Sequence, residues 1–261
     1  MRWFFAACLL ALISISPRAA RAWGYDGHRI VCAIAWDQLT PAIRAKVSQV
    51  LEEDGKDAFV ENCLWPDEVR PWRKETALYH YVNVPQGATI IVLDRDCPPD
   101  KGCVATRALI EAGDMRRTYS RDAVRFLAHF VGDMHQPLHT GYAEDAGGNL
   151  IKGKFMGQDT NMHGLWDYGL LEATGRSWQE IAADLNARTT QADRWTWTAG
   201  TALDWANATL ALAQSPAVAY RADAQPFDLG RAYLDENLPT VYGQLQRAGV
   251  RLADLLTNFL Q

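Results

Sequence analysis

Apolar residues recur at helical spacing from Ile30 through to Leu260, with no break long enough to separate two cores. That period gives each helix one apolar stripe, and helix-on-helix packing is the way to bury it. No Pro/Ser/Gly tract, low-complexity stretch or internal repeat interrupts the pattern, so a single, mainly α domain with a few short strands is expected. Helices are predicted over residues 26–39, 41–53, 106–117 and 121–134, with later helices following His163, Ser177, Trp195 and Leu229. Strand signal is confined to residues 79–84, residues 89–93 and a hairpin within 148–155.

The first residues are an address, not part of the fold. Arg2 is a short basic start, the apolar run over residues 3–15 is too short to span a bilayer, and Ala20 and Ala22 stand at cleavage spacing. Residues 1–22 therefore read as a signal peptide cut before Trp23, leaving a domain of residues 23–261 that is secreted or periplasmic. An uncleaved anchor would need a longer apolar segment, and no later segment reads as transmembrane. The leader takes Arg2, Arg18 and Arg21 and no acid with it. The formal net charge then goes from −5 to −8, with 31 acidic residues in the chain. Such a balance argues against a broad basic groove for nucleic acid. Any positive charge used on a polyanion must be local, and bound metal is a way to concentrate it.

Cys8 leaves with the leader, and Cys32, Cys63, Cys97 and Cys103 remain. An even number in an exported chain points to disulfides. Cys97 and Cys103 flank a Pro-Pro-Asp-Lys-Gly turn and could close a small loop, leaving Cys32 for Cys63, although four cysteines allow three pairings. Cysteine ligation of zinc is disfavoured, since no Cys-x-x-Cys occurs.

The chain has six histidines, at 28, 80, 129, 135, 139 and 163. His129 and Asp133 are four apart, as are His163 and Asp167, so on a helix each pair shares one face and can hold one metal. A single such pair could be a helix ion pair; two together favour metal. Pro137 breaks the helix that carries Asp133, which frees His139 to reach a neighbouring ion with His163 and Asp167. His135 falls on the opposite face from Asp133 and reads as a structural hydrogen-bonding residue. Cleavage would also make Trp23 the N-terminus. Its amine, with a reference pKa near 8, and the ring of His28 could then chelate a further ion.

These motifs resemble the zinc-dependent single-strand-specific nucleases and 3′-nucleotidases of the mung bean nuclease type, which are related in fold to zinc phospholipase C. The resemblance spans the mature chain through Trp23-Gly24 and His28, Trp65-Pro66-Asp67-Glu68, His80-Tyr81-Val82-Asn83, residues 129–139, Gly147-Gly148-Asn149 and residues 161–167. It implies three Zn²⁺ ions: one on Asp67, His80, His129 and Asp133, a second on His139, His163 and Asp167, and a third on Trp23 and His28. Asp133 would bridge the first and third, with a hydroxide between them as nucleophile. Asp67 and Arg70 would be catalytic, the guanidinium meeting the phosphate. Tyr81, Asn83 and Asn149 would form a nucleobase pocket, an aromatic face and amide edges suiting an unpaired base.

Two departures stand out. Asn83 occupies a place where fungal members carry aspartate, so base preference does not transfer. Ala208 in Trp205-Ala206-Asn207-Ala208 replaces a frequent glutamate. Asn207-Ala208-Thr209 is formally a glycosylation sequon. Most of the ten tryptophans read as packing residues and not as stacking platforms. The expected activity is endonucleolytic cleavage of single-stranded DNA and RNA to 5′-phosphate ends, with 3′-nucleotides as further substrates, by a monomer without stable membrane association. The alternatives are a phospholipase C and a non-catalytic zinc-binding protein.

Overall fold

The structure is a computed structural model that describes residues 23–218, 220 and 226–261, so the expected leader lies outside the described residues. Helix α1 (Gly24–Gln38) leads into α2 (Pro41–Leu51). Thr40 caps α2 by accepting a hydrogen bond from the Ile43 N–H, and Pro41 sits where a missing N–H costs nothing. Two short helices follow that periodicity did not reveal, α3 (Gly55–Asn62) and α4 (Trp65–Val69); neither is long enough to repeat an apolar stripe. A 3₁₀ turn over Lys74–His80 precedes α5 (Leu93–Asp96), α6 (Val104–Thr118) and α7 (Arg121–Asp133), and a second 3₁₀ turn covers Pro137–Thr140.

Strands β1 (Lys152–Phe155) and β2 (Gln158–Asn161) form the expected hairpin, with Phe155 opposite Gln158. A short helix α8 (Met162–Gly164), a π turn over Leu165–Gly169 and α9 (Leu170–Glu172) continue directly from it. Capping boxes then open α10 (Trp178–Arg188), α11 (Gln191–Trp197) and α12 (Ala202–Ala213), through Ser177/Glu180, Thr190/Asp193 and Thr201/Asp204. Trp195 thus lies inside α11, which opens at Thr190, and the helix that follows it, α12, opens at Thr201. Strand β3 (Phe227–Leu229), unforeseen, pairs parallel with β1, and α13 (Arg231–Leu260) closes the chain.

Two expected strands are not formed. Residues 79–84 leave the 3₁₀ turn and run beside the second one, with Val82 N–H donating to His139 O at 2.8 Å and Val84 N–H to Gly141 O at 2.9 Å. The pairing stops at one bridge between Val84 and Tyr142. Over residues 89–93 side chains take the backbone donors that a strand would need: Ile91 N–H donates to Asn207 Oδ1 and Val92 N–H to Asp96 Oδ2, both at 2.8 Å. The same contact, with Asn207 Nδ2 donating to Leu203 O, engages both ends of the sequon asparagine in packing, whereas Ala208 is exposed.

Helix α7 is the centre of the core, every residue from Phe126 to Asp133 being buried. Helices α1 and α6 pack on it and α13 spans all three. The disulfides are Cys32–Cys63, tying α1 to the end of α3, and Cys97–Cys103 across the short loop. The α1–α13 approach depends on Gly249, where a Cβ would stand 2.6 Å from Ile34 Cγ2 and 3.0 Å from Val31 O. Replacement Gly249→Ala is expected to cost about 1–3 kcal/mol through forced separation of two packed helices. Thermal unfolding should show a midpoint several degrees lower with unchanged helix content.

Candidate functional site

Five segments meet at the buried end of α7. His28 comes from the second turn of α1 and Asp67 from α4; His80 ends the first 3₁₀ turn. His129 and Asp133 share one face of α7, and His139 leaves it through the Pro137 turn. His163 sits in α8 and Asp167 in the π turn, a local widening of the helix of the kind found at functional positions.

The aspartate oxygens are divided between ring sets. Asp133 Oδ1 is 3.2 Å from His28 Nε2, and Oδ2 is 2.9 Å from His80 Nδ1 and 3.3 Å from His129 Nε2. Asp67 Oδ1 lies 3.7 Å from both His80 Nδ1 and His129 Nε2. Asp167 faces His139 Nε2 at 3.6 Å and His163 Nε2 at 3.3 Å. Three groups could each hold a metal ion: His28 with His129 and Asp133, Asp67 with His80 and His129, and His139 with His163 and Asp167. Ligands about 2.0–2.2 Å from one tetrahedral ion stand roughly 3.3–3.6 Å apart, close to these separations.

The donor chemistry fits cations as well. His28 Nε2, Asp67 Oδ1, Asp133 Oδ1, His139 Nε2 and Asp167 Oδ2 are buried without a hydrogen-bond partner, a costly arrangement for a protein to keep unless something else satisfies them. Backbone carbonyls fix the opposite ring nitrogens. His129 Nδ1–H donates to Cys63 O at 2.7 Å, His139 Nδ1–H to His80 O and His163 Nδ1–H to Gly147 O, both at 2.6 Å, which turns each Nε2 inward. Gly132 permits the tight α1–α7 contact, since a Cβ there would meet His28 Nδ1 at 2.8 Å; His28 and His129 stack at 3.8 Å.

Charge states follow from burial and partners. Burial lowers the His129 pKa well below the ordinary value, outweighing Asp133, and lowers that of His163 as well. Burial pulls His139 down too, but Asp167 and Asp133 raise it overall. For Asp133, His129, His28 and His80 outweigh burial and hold the carboxyl well below its usual range, whereas burial dominates at Asp67 and pushes it up.

Beside these groups lies a cavity of about 250 Å³ lined by Arg70, Tyr81, Asn83, His139, Asn149 and His163, among others. Arg70 Nη1 is 3.8 Å from Asp67 Oδ1, and its partly exposed side chain lines the cavity. A wider groove of about 690 Å³ between α11 and α13, with Trp195 in its wall, contains none of the site residues. Sequence reasoning missed Gln136, whose Nε2 donates to Asp167 Oδ1 at 2.5 Å, and Asp145, whose Oδ1 accepts from Gly148 N–H and Tyr220 O–H, both at 2.6 Å. Gln136 is the cap before Pro137 and Asp145 precedes a Gly-Gly turn, so capping and Asx-turn rules could have found them.

This concentration of histidine–aspartate groups at the end of one helix, next to an arginine-edged cavity, coincides with a match of residues 23–261 to S1/P1 Nuclease. The chain belongs to the S1/P1 nuclease family. It is 32% identical to Endonuclease 2 of Arabidopsis thaliana over 261 residues, covering 90% of each chain. It is also 27% identical to Nuclease P1 of Penicillium citrinum, over 90% of this chain and 97% of the relative. With Nuclease S1 of Aspergillus oryzae the identity is 26%, over 95% and 94%. This S1/P1 nuclease is therefore an enzyme whose substrates are nucleic acids, built on a mainly α fold.

His135 stands apart from the cluster of this nuclease. Its Nδ1–H donates to Val131 O at 2.6 Å and its Nε2 accepts from Arg251 Nη1 at 2.6 Å. Burial first, and then Arg251, hold its pKa well below the ordinary value. The unfolded chain takes up that proton more readily, so stability tied to this ring is complete above pH ~6.5 and is lost as pH falls below it. Histidine ¹H–¹⁵N spectra should show His135 still neutral, with one Nδ1 proton, at a pH where an ordinary histidine is already protonated; protonation at the ordinary value would contradict this environment.

Proposed function

We propose that this nuclease is a secreted or periplasmic, zinc-dependent endonuclease that cuts single-stranded DNA and RNA to 5′-phosphate ends and also acts on 3′-nucleotides. The observation that carries this reading is the division of Asp133, one oxygen toward His28 and the other toward His80 and His129, beside the cavity edged by Arg70. Asp67, His80, His129 and Asp133 would hold one zinc, His139, His163 and Asp167 a second, and Trp23 with His28 a third, Asp133 serving two of them. When bound, such ions bring water near neutral pKa and neutralise phosphate charge.

The chain's own residues supply the rest. Arg70, anchored near Asp67, offers fixed N–H donors to the phosphate oxygens as charge builds on them. Tyr81 presents an aromatic face to a base, and Asn83 and Asn149 offer amides to its edge; the base must leave a duplex to enter, which favours single strands. Asn83 both donates and accepts, so base preference is set by this chain and not inherited from members with aspartate there. A phospholipase C remains the test's other outcome, and hydrolysis of phosphatidylcholine in place of DNA would establish it.

The N-terminal assignment has structural support. Trp23 is fully buried, with φ of 33°, and stands directly before α1, whose second turn carries His28. Mass spectrometry of exported protein should give a chain starting at Trp23; a longer chain with full activity would remove the amine from the ligand set.

Chelation is expected to abolish cleavage of single-stranded DNA, and zinc, at about three ions per chain, to restore it. The variant Arg70→Ala should retain its zinc and its melting temperature while losing roughly 10²–10³ in kcat. An active Arg70→Ala enzyme would reduce Arg70 to a surface residue.

A further inference from the structure

Most tryptophans of the described chain are packed, and Trp72 is a clear exception, with 79% of its surface exposed. It lies two residues beyond Arg70, so the Cα atoms of the two residues are at most about 7 Å apart. Its mounting is rigid. Trp72 N–H and Arg73 N–H donate to Val69 O at 2.9 and 2.8 Å, and Pro71 restricts the turn between them. The Arg73 side chain is engaged elsewhere, ion-paired to Asp122 at 2.9 Å and lying over the Phe126 ring at 5.0 Å. Among the described residues, no ring or cation covers the Trp72 indole.

The chain is acidic overall, so a basic track cannot hold the nucleotides on either side of the reacting phosphate. Aromatic stacking can, because every base has a π face and needs no counter-charge. Trp195 is as exposed, at 85%, but it sits on α11 in the wall of the groove apart from the site. We propose that Trp72 is a second stacking platform, binding the base on the other side of the scissile phosphate from the one that enters the Tyr81 cavity. The proposal rests on the nuclease reading and extends it from one base to two.

A double-perturbation cycle tests it. Kinetics are measured on the dinucleotide TpT and on two analogues in which either the 5′ or the 3′ base is replaced by an abasic residue, with zinc-loaded wild-type, Trp72→Ala and Trp72→Phe enzymes. For one of the two positions, loss of the base and Trp72→Ala should each raise KM about tenfold, and the two together should raise it no further. Trp72→Phe should recover part of the loss, kcat should move little, and melting temperatures should agree because the indole is exposed. Additive effects at both positions, or an unchanged KM in Trp72→Ala, would overturn the proposal while leaving the nuclease reading intact. A wild-type enzyme that cuts neither TpT nor longer single strands would sink the substrate assignment itself.

Discussion

The arrangement of this molecule turns on one buried carboxylate. Asp133 is wholly removed from solvent, and an isolated charge in that position would be prohibitively costly. It is tolerated because rings from α1, from the 3₁₀ turn ending at His80 and from its own helix converge on it. Each ring in turn has to be delivered by a segment that could sit elsewhere, and the fold can be read as the set of constraints that prevents this. Gly132 lets His28 lie flat against His129, and Gly249 lets α1 come close to α13 from behind. Cys63 acts twice: its sulfur ties α3 to Cys32 on α1, and its carbonyl fixes the His129 ring.

A second layer of order lies in the backbone carbonyls. His129, His139 and His163 each give Nδ1–H to a carbonyl and aim Nε2 inward, whereas His80 faces Asp133 with Nδ1. The carbonyl that orients His139 is that of His80 itself. A displacement of the His80 turn would therefore disturb the Asp67–His80–His129 group directly and the His139–His163–Asp167 group through one hydrogen bond. The two groups are mechanically one unit, although their members come from positions 67 to 167 in the chain.

Much of this was legible because chemistry and periodicity coincide in the sequence. The i,i+4 pairs His129/Asp133 and His163/Asp167 and the proline break before His139 follow local rules, and the structure gathers those residues. What escaped was decided by tertiary partners. The β-branched run at residues 89–93 has strand propensity, but Asn207 and Asp96 take its donors. Strand β3 is three residues long and exists because β1 offers an edge to it. The π turn carrying Asp167 leaves no mark in a pattern read at 3.6 residues per turn, and the reach of Gln136 to Asp167 spans 31 positions.

Electrostatics connect these geometric facts to a polyanionic substrate. Asp67, Asp133 and Asp167 bring up to three negative charges to a pocket walled by imidazoles, and burial keeps His129 and His163 from compensating by protonation. A phosphodiester approaching such a pocket alone would be repelled, more strongly than at the surface because the low local dielectric weakens screening. Arg70 supplies one fixed positive charge in the cavity wall, and His139, whose pKa Asp167 and Asp133 raise, can carry a second, too little to outweigh three carboxylates. The unsatisfied inward atoms of the same residues are cation ligands by type and spacing, and divalent ions among them would turn a repulsive site into an attractive one. An acidic protein can thus act on nucleic acid without a basic surface. The attraction would then be confined to one pocket, and stacking, which needs no counter-charge, is the interaction left to hold bases beyond it.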